Sequence, residues 1–204
     1  MLHCAQHEFC GKLPMRLRKS CAASSCSIGF ATNTGDAYAA EQKGMEHMNN
    51  FNLFTPTKVV FGKDTETQTG ALVKASGCKK VLLHYGSGSV IRSGLLDKIK
   101  ASLQAEGIAF TELGGAVPNP RLALVYEGIA LGQKKGVDFV LAVGGGSAID
   151  SAKAIAYGLA EPEQDVWDLY EHTRTAKACL PIGVVLTLSA TGSEMSDSSV
   201  ITKE

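Results

Sequence analysis

The sequence predicts an α/β fold built on a doubly wound parallel sheet, and three observations carry that prediction. Short apolar runs of strand length alternate with amphipathic stretches of helix length, the pattern of right-handed βαβ crossovers. The run Val137-Asp138-Phe139-Val140-Leu141-Ala142-Val143 is almost continuously apolar, as a strand covered on both faces must be. Glycine clusters, Gly86-Ser87-Gly88-Ser89 and Gly144-Gly145-Gly146-Ser147, stand where two of the strands should end.

Each element follows in order. Lys58 to Phe61 is a short β-rich run closed by Gly62. Asp64 to Ser76 reads as a first helix, capped by Asp64 and stopped by Gly77. Val81 to Tyr85 is a strand that runs into the turn Gly86 to Ser89. Ser93 to Glu106 places Leu95, Leu96, Ile99 and Leu103 on one helical stripe, and Gly107 ends it. Ile108 to Leu113 is the next strand, with Gly114 to Pro120 as the loop after it. Arg121 to Lys135 reads as helix, with Leu122, Val125 and Ile129 on one face. The strand at 137–143 leads through its glycines into a helix from Ser147 to Ala160, and Pro181 to Leu188 is the last clear strand.

The 20 basic and 20 acidic side chains cancel, so neither nucleic acid nor an anionic membrane surface is an expected partner. A hydrophobic fraction of 45% is that of a globular protein, and no apolar run approaches the roughly 18 residues of a membrane span. The expected location is the cytoplasm. Residues 1–47 show neither helical nor strand periodicity and hold four of the six cysteines, Cys4, Cys10, Cys21 and Cys26. We expect a disordered or non-native extension there, with Met48 as the natural start and residues 48–204 as the folded domain. The spacing His3-Cys4-x2-His7-x2-Cys10 matches no common zinc pattern.

In open parallel sheets ligands bind at the carboxyl ends of the strands. Three such ends bear chemistry. In Gly144-Gly145-Gly146-Ser147 the absent side chains let a ligand approach the backbone, and the N–H groups of the following helix suit a diphosphate. Ser147 is the expected cap of that helix. The turn Gly86-Ser87-Gly88-Ser89 has no acid to take a ribose 2′-hydroxyl, since the first one is Asp97. With Arg92 nearby, the turn leaves room for a 2′-phosphate and favours NADP(H) over NAD(H). The hydroxyls of Thr187 to Glu194 are the third candidate, a polar trough or an ordinary turn.

Taken together, Asn50-Phe51-Asn52 with Lys58 to Gly62, Val117-Pro118-Asn119-Pro120, Gly144 to Asp150 with Lys153, and Thr187 to Glu194 resemble the iron-containing (group III) alcohol dehydrogenases. The segment Asp165 to Leu169 and the Gly86 to Ser89 turn resemble the NADP(H)-dependent butanol dehydrogenase and aldehyde reductase branch. The resemblance implies a Rossmann-like dinucleotide-binding domain followed by a helical domain that carries iron or zinc, in an enzyme acting on small alcohols and aldehydes, as a homodimer when complete. It also implies site residues. Gly144, Gly145, Gly146 and Ser147 would bind the diphosphate, with Asp150 close by. Gly86, Ser87 and Ser89 would surround the adenosine ribose, and Thr187, Leu188 and Ser193 would lie along the cofactor trough. The family's metal takes an aspartate and a histidine four residues apart and two later histidines. This chain has only His3, His7, His47, His84 and His172, so no catalytic or metal residue is expected in it and the metal-binding half is expected outside it. Two other readings stand beside this one: a non-catalytic nucleotide-binding fragment or gene remnant, and a dehydroquinate synthase-like lyase of the same general fold.

Overall fold

The structure, a computed structural model, describes residues 2–5, 17–19, 56–86 and 88–204, the first two segments as backbone strands only. Two units divide the chain, Met1–Ser20 with Pro56–Glu204 and Cys21–Thr55; the second lies outside the described residues. Within the first, β1 (Leu2–Ala5), β3 (Thr57–Val60), β4 (Lys80–Gly86), β5 (Ala109–Ala116), β6 (Phe139–Gly144) and β7 (Ile182–Leu186) form one sheet in the order β3-β1-β7-β6-β4-β5. The four strands β7, β6, β4 and β5 are mutually parallel, as expected. β1 runs antiparallel to both its neighbours. A second, two-stranded sheet pairs β2 (Leu17–Lys19) with β8 (Ser199–Ile201). Strands β1 and β2 thus lie in the stretch whose sequence shows no strand period. Over three or four residues, pairing is decided by the edge on offer rather than by alternation.

Helices cover both faces. Val81 and Leu83 of β4, Phe139, Leu141 and Val143 of β6 and Val185 of β7 pack with Val73 of α1 (Thr69–Ala75), Val90 of α2 (Ser89–Arg92) and Leu96, Ile99 and Leu103 of α3 (Leu95–Ala105). The alternate residues, Leu82, Val140, Ala142, Val184 and Leu186, pack with Leu122 and Val125 of α4 (Leu122–Lys135) and Ile149, Ala152 and Ile155 of α5 (Gly146–Ala160). The same face takes Trp167 and Tyr170 of the short α6 (Trp167–Tyr170). The period of two in each strand therefore feeds two separate cores.

Four local expectations change. Asp64 does not cap a helix: it adopts a left-handed conformation, φ 57°, before a 3-10 turn at Thr65–Gln68, and α1 starts only at Thr69. The helix expected over 93–106 is α3 alone, because Gly94 at φ 72° separates it from α2. β5 continues through Gly114 and Gly115, expected as loop. A Cβ at 114 would lie 2.9 Å from the Tyr85 ring, so glycine leaves room for the ring beside the strand. α5 starts at Gly146 with Gly145 as cap, so Ser147 lies inside the first turn and does not cap it.

Candidate functional site

The chain leaves β4 through α2 and α3 to reach β5 on one side, then returns through α4 across the opposite face to β6 on the other side. The connections diverge between β4 and β6, and a crevice opens outside the carboxyl ends of these two strands. Both expected glycine turns lie at its lips. Gly86 and Gly144 follow directly on the paired residues Tyr85 and Val143. The third strand end joins them, since Gly144 pairs with Leu186 and the Thr187 N–H donates to the Gly144 carbonyl at 3.0 Å.

The turn from β6 to α5 is shaped by what its glycines lack. A Cβ on Gly146 would lie 2.6 Å from Thr191 Oγ1, and one on Gly144 would lie 3.0 Å from the Ala148 methyl. The loop after β7 and the first turn of α5 pack here with no room for side chains. At Gly145 the neighbourhood is open instead: the nearest atom to a Cβ would be Leu188 Cβ, at 3.9 Å. Intrahelical bonding begins with Ala148 N–H to Gly145 O at 3.1 Å. The N–H groups of Gly146 and Ser147 precede it and have no intrahelical acceptor. Open room over Gly145, two N–H groups and the positive end of a 15-residue helix suit a diphosphate.

At the tip of β4, Gly86 leaves the strand, Ser87 lies outside the described residues, and Ser89 is exposed at the start of α2. The Arg92 guanidinium lies over Gly88, so close that a Cβ there would be 2.6 Å from Nη1. Past β7, Thr187 and Leu188 are exposed, Leu188 at 67%, and Ser193 is buried.

Asp150 and Ser193 are in direct contact. Ser193 Oγ donates to Asp150 Oδ1 at 2.5 Å, and the Val200 N–H donates to Oδ2 at 3.2 Å. Ser199 Oγ donates to the Asp150 carbonyl at 2.8 Å and meets the Tyr170 hydroxyl at 2.9 Å. Burial pushes the Asp150 carboxyl up, against the bond from Ser193 and the charge of Lys153. Lys153, one turn further along α5, is 6% exposed, and its ammonium is bonded to Ser193, Ser196 and Ser198. Burial brings it down to about 8, while the carboxylates of Asp150, Asp197 and Glu194 hold it up, so it is charged at neutral pH. Glu194 Oε2 is buried without a hydrogen-bond partner.

Sequence reasoning assigned no role to Lys153 or to His84. The spacing Asp150-x2-Lys153, which puts both on one helical face, is the signal for the first. For His84 it is a polar residue inside the buried run Val81 to Tyr85. Its ring bridges the Leu113 carbonyl at 2.9 Å and Ser151 Oγ at 2.5 Å, and so ties β4 and β5 to the start of α5. Among the described residues no group of three or more His, Cys, Asp or Glu side chains could hold a metal. The family's metal thus has no ligand set among them.

The family model for iron-containing alcohol dehydrogenases matches residues 56–204. The "Probable NADH-dependent butanol dehydrogenase 2" of Bacillus subtilis is 50% identical over 155 residues, 76% of this chain and 39% of that protein. The NADPH-dependent aldehyde reductase YqhD of Escherichia coli is 40% identical over 159 residues, 77% of this chain and 40% of its own. Among solved structures, the NADH-dependent butanol dehydrogenase A of Thermotoga maritima superposes with a TM-score of 0.70 at 37% identity, over 78% of this chain and 45% of that one. The chain spans about two fifths of the length of the curated relatives it matches.

Proposed function

This chain belongs to the iron-containing alcohol dehydrogenase family, and we propose that residues 48–204 hold the nicotinamide cofactor of an enzyme that interconverts primary alcohols and aldehydes. The observation that carries this reading is the convergence of three strand tips, Gly86, Gly144 and Leu186, on one crevice floored by the N–H groups at the start of α5 that have no intrahelical acceptor. In this reading Gly144, Gly145, Gly146 and Ser147 take the diphosphate. Gly86, Ser87 and Ser89 take the adenosine ribose on the β4 side. Thr187, Leu188 and Ser193 line the trough on the β7 side, where the nicotinamide half must then lie, with Asp150 fixing Ser193.

We assign NADP(H) rather than NAD(H) as the preferred cofactor. The relatives are named for either, so the assignment rests on charge. No carboxylate follows the tip of β4 before Asp97, the third residue of α3, and the Arg92 guanidinium lies across Gly88. A 2′-phosphate would be drawn to that cation, and no carboxylate stands in the turn to take a 2′-hydroxyl.

The cofactor, when bound, supplies the hydride chemistry. The residues of this chain bind and orient it: the helix terminus fixes the diphosphate, and the strand tips set the two halves on either side. No step is assigned to the metal here, because the described residues offer it no ligands.

Fluorescence titration of the chain with NADPH and NADH tests both parts. NADPH should bind about tenfold or more tightly than NADH. Gly145→Val, which fills the open room over the turn, should weaken NADPH by at least as much. Unchanged NADPH affinity in that variant would count against the diphosphate site, and tighter binding of NADH against the cofactor preference.

A further inference from the structure

We propose that Lys153 is a positioning residue whose ammonium latches the Ser193–Ser198 segment to α5 and thereby sets the β7 side of the cofactor trough. A buried lysine is rare and needs partners for its charge. Here the short bonds go to backbone carbonyls: Ser193 O at 2.6 Å, Ser198 O at 2.8 Å and Ser196 O at 2.9 Å. The hydroxyls of Ser193 and Ser196 stand further off, at 3.1 and 3.3 Å. An ammonium has three protons, and three carbonyls receive them.

The segment needs such a fastening. Between β7 and β8 the chain has no helix or strand, and Thr187 to Gly192 are exposed. Lys153 lies seven residues after Gly146 on the same helix, about two turns or ~10 Å along its axis. One rigid element therefore carries the candidate diphosphate turn at its start and the latch further along, and holds the trough loop at a fixed offset from the turn. An apolar side chain at 153 would leave the Ser196 carbonyl without a donor among the described residues, and the Ser193 and Ser198 carbonyls with only the long bonds from the Ser196 N–H at 3.4 Å and Ser196 Oγ at 3.3 Å.

The proposal rests on the cofactor reading above, and its test separates the two. The 204-residue chain, Lys153→Met and Lys153→Ala are titrated with NADPH and with 2′,5′-ADP, which carries the adenosine half alone. Both variants should bind NADPH about tenfold more weakly and 2′,5′-ADP as the parent does. Millimolar propylammonium, which supplies the missing methylenes and charge, should restore Lys153→Ala. Equal loss of both ligands, or no recovery with propylammonium, overturns the positioning role. Amide exchange without any nucleotide is the second readout. Faster exchange at residues 194–198 with β6 unchanged supports the latch, even if the parent binds neither nucleotide and only the cofactor reading falls. Parental exchange rates at those amides overturn it. Should both variants fail to fold, nitrogen NMR of the parent decides. A slowly exchanging Lys153 ammonium coupled across its hydrogen bonds to the carbonyls of Ser193, Ser196 and Ser198 is expected; a freely exchanging one overturns the latch.

Discussion

His84 shows how much one side chain can commit. It is fully buried in β4, and its Nδ1 faces the Leu113 carbonyl, which can only accept. That nitrogen therefore carries the proton, and Nε2 accepts from the Ser151 hydroxyl. Burial drives the ring well below the usual 6.5, to about 4, with the bond to Leu113 opposing. Between these values the unfolded chain binds a proton that the folded chain refuses. Stability is then fully present above about 6.5 and is lost as the pH falls toward 4, by about 3 kcal/mol at the end of the window. Urea midpoints measured from pH 7.5 to 4.5 should fall on the acid side. His84→Gln should remove most of the decline between pH 6.5 and 5. A parent midpoint that is flat over that interval would exclude a neutral buried histidine.

At the scale of elements, helix crossings depend on glycine. Gly70 on α1 packs against α3, its N–H donating to Ser102 Oγ at 2.9 Å, and a Cβ there would lie 2.1 Å from the Ser102 carbonyl oxygen. Backbone cannot step aside as a side-chain tip can. Alanine gains up to about 1 kcal/mol of helix propensity over glycine, but the overlap should outweigh it. We expect Gly70→Ala to lower stability by about 2 kcal/mol or more in thermal or denaturant unfolding; a more stable variant would show that the two helices separate freely. Such crossings also mark what the sequence leaves unread. Leu95, Leu96, Ile99 and Leu103 announce α3 because its buried stripe repeats with the helical period. The end of β5 is silent: Gly114 and Gly115 have the composition of a turn, yet the Tyr85 ring lies against Gly114 and pairing with β4 resumes at Ala116. The N-terminus of α5 is displaced for a related reason, since Thr191, far away in sequence, occupies the place of a side chain at 146.

At the scale of the molecule, the proposed cofactor cradle stands without a metal-ligand set among the described residues. Of the chain's five histidines, the one in the sheet core is already spent on Leu113 and Ser151. We expect the 204-residue chain, given NADP(H), butanol or butanal and ferrous iron or zinc, to show no dehydrogenase activity above background. Metal-dependent turnover by the purified chain would refute this. The positions of the glycine turns are legible in the sequence because strand-tip glycines followed by an amphipathic helix have few other uses. The contacts that organise the site are not, because Lys153 to Ser198 and His84 to Ser151 are meetings of residues brought together only by the crossovers.

The strand order also has a history written into it. Among the parallel strands, read from the amino end, β4 and β5 are the first neighbours, β6 then joins at the free side of β4, and β7 at the free side of β6. Each parallel strand can thus be laid down on an edge that already exists when it leaves the ribosome. Both strands that flank the crevice, β4 and β6, precede β7 in the chain. β1 is the exception: it pairs with β3, but Leu2 also pairs with Val185, so the β1–β3 pair joins the sheet only once β7 is made. Contacts of such long range close slowly, and until then β7 presents an open edge to any other extended chain.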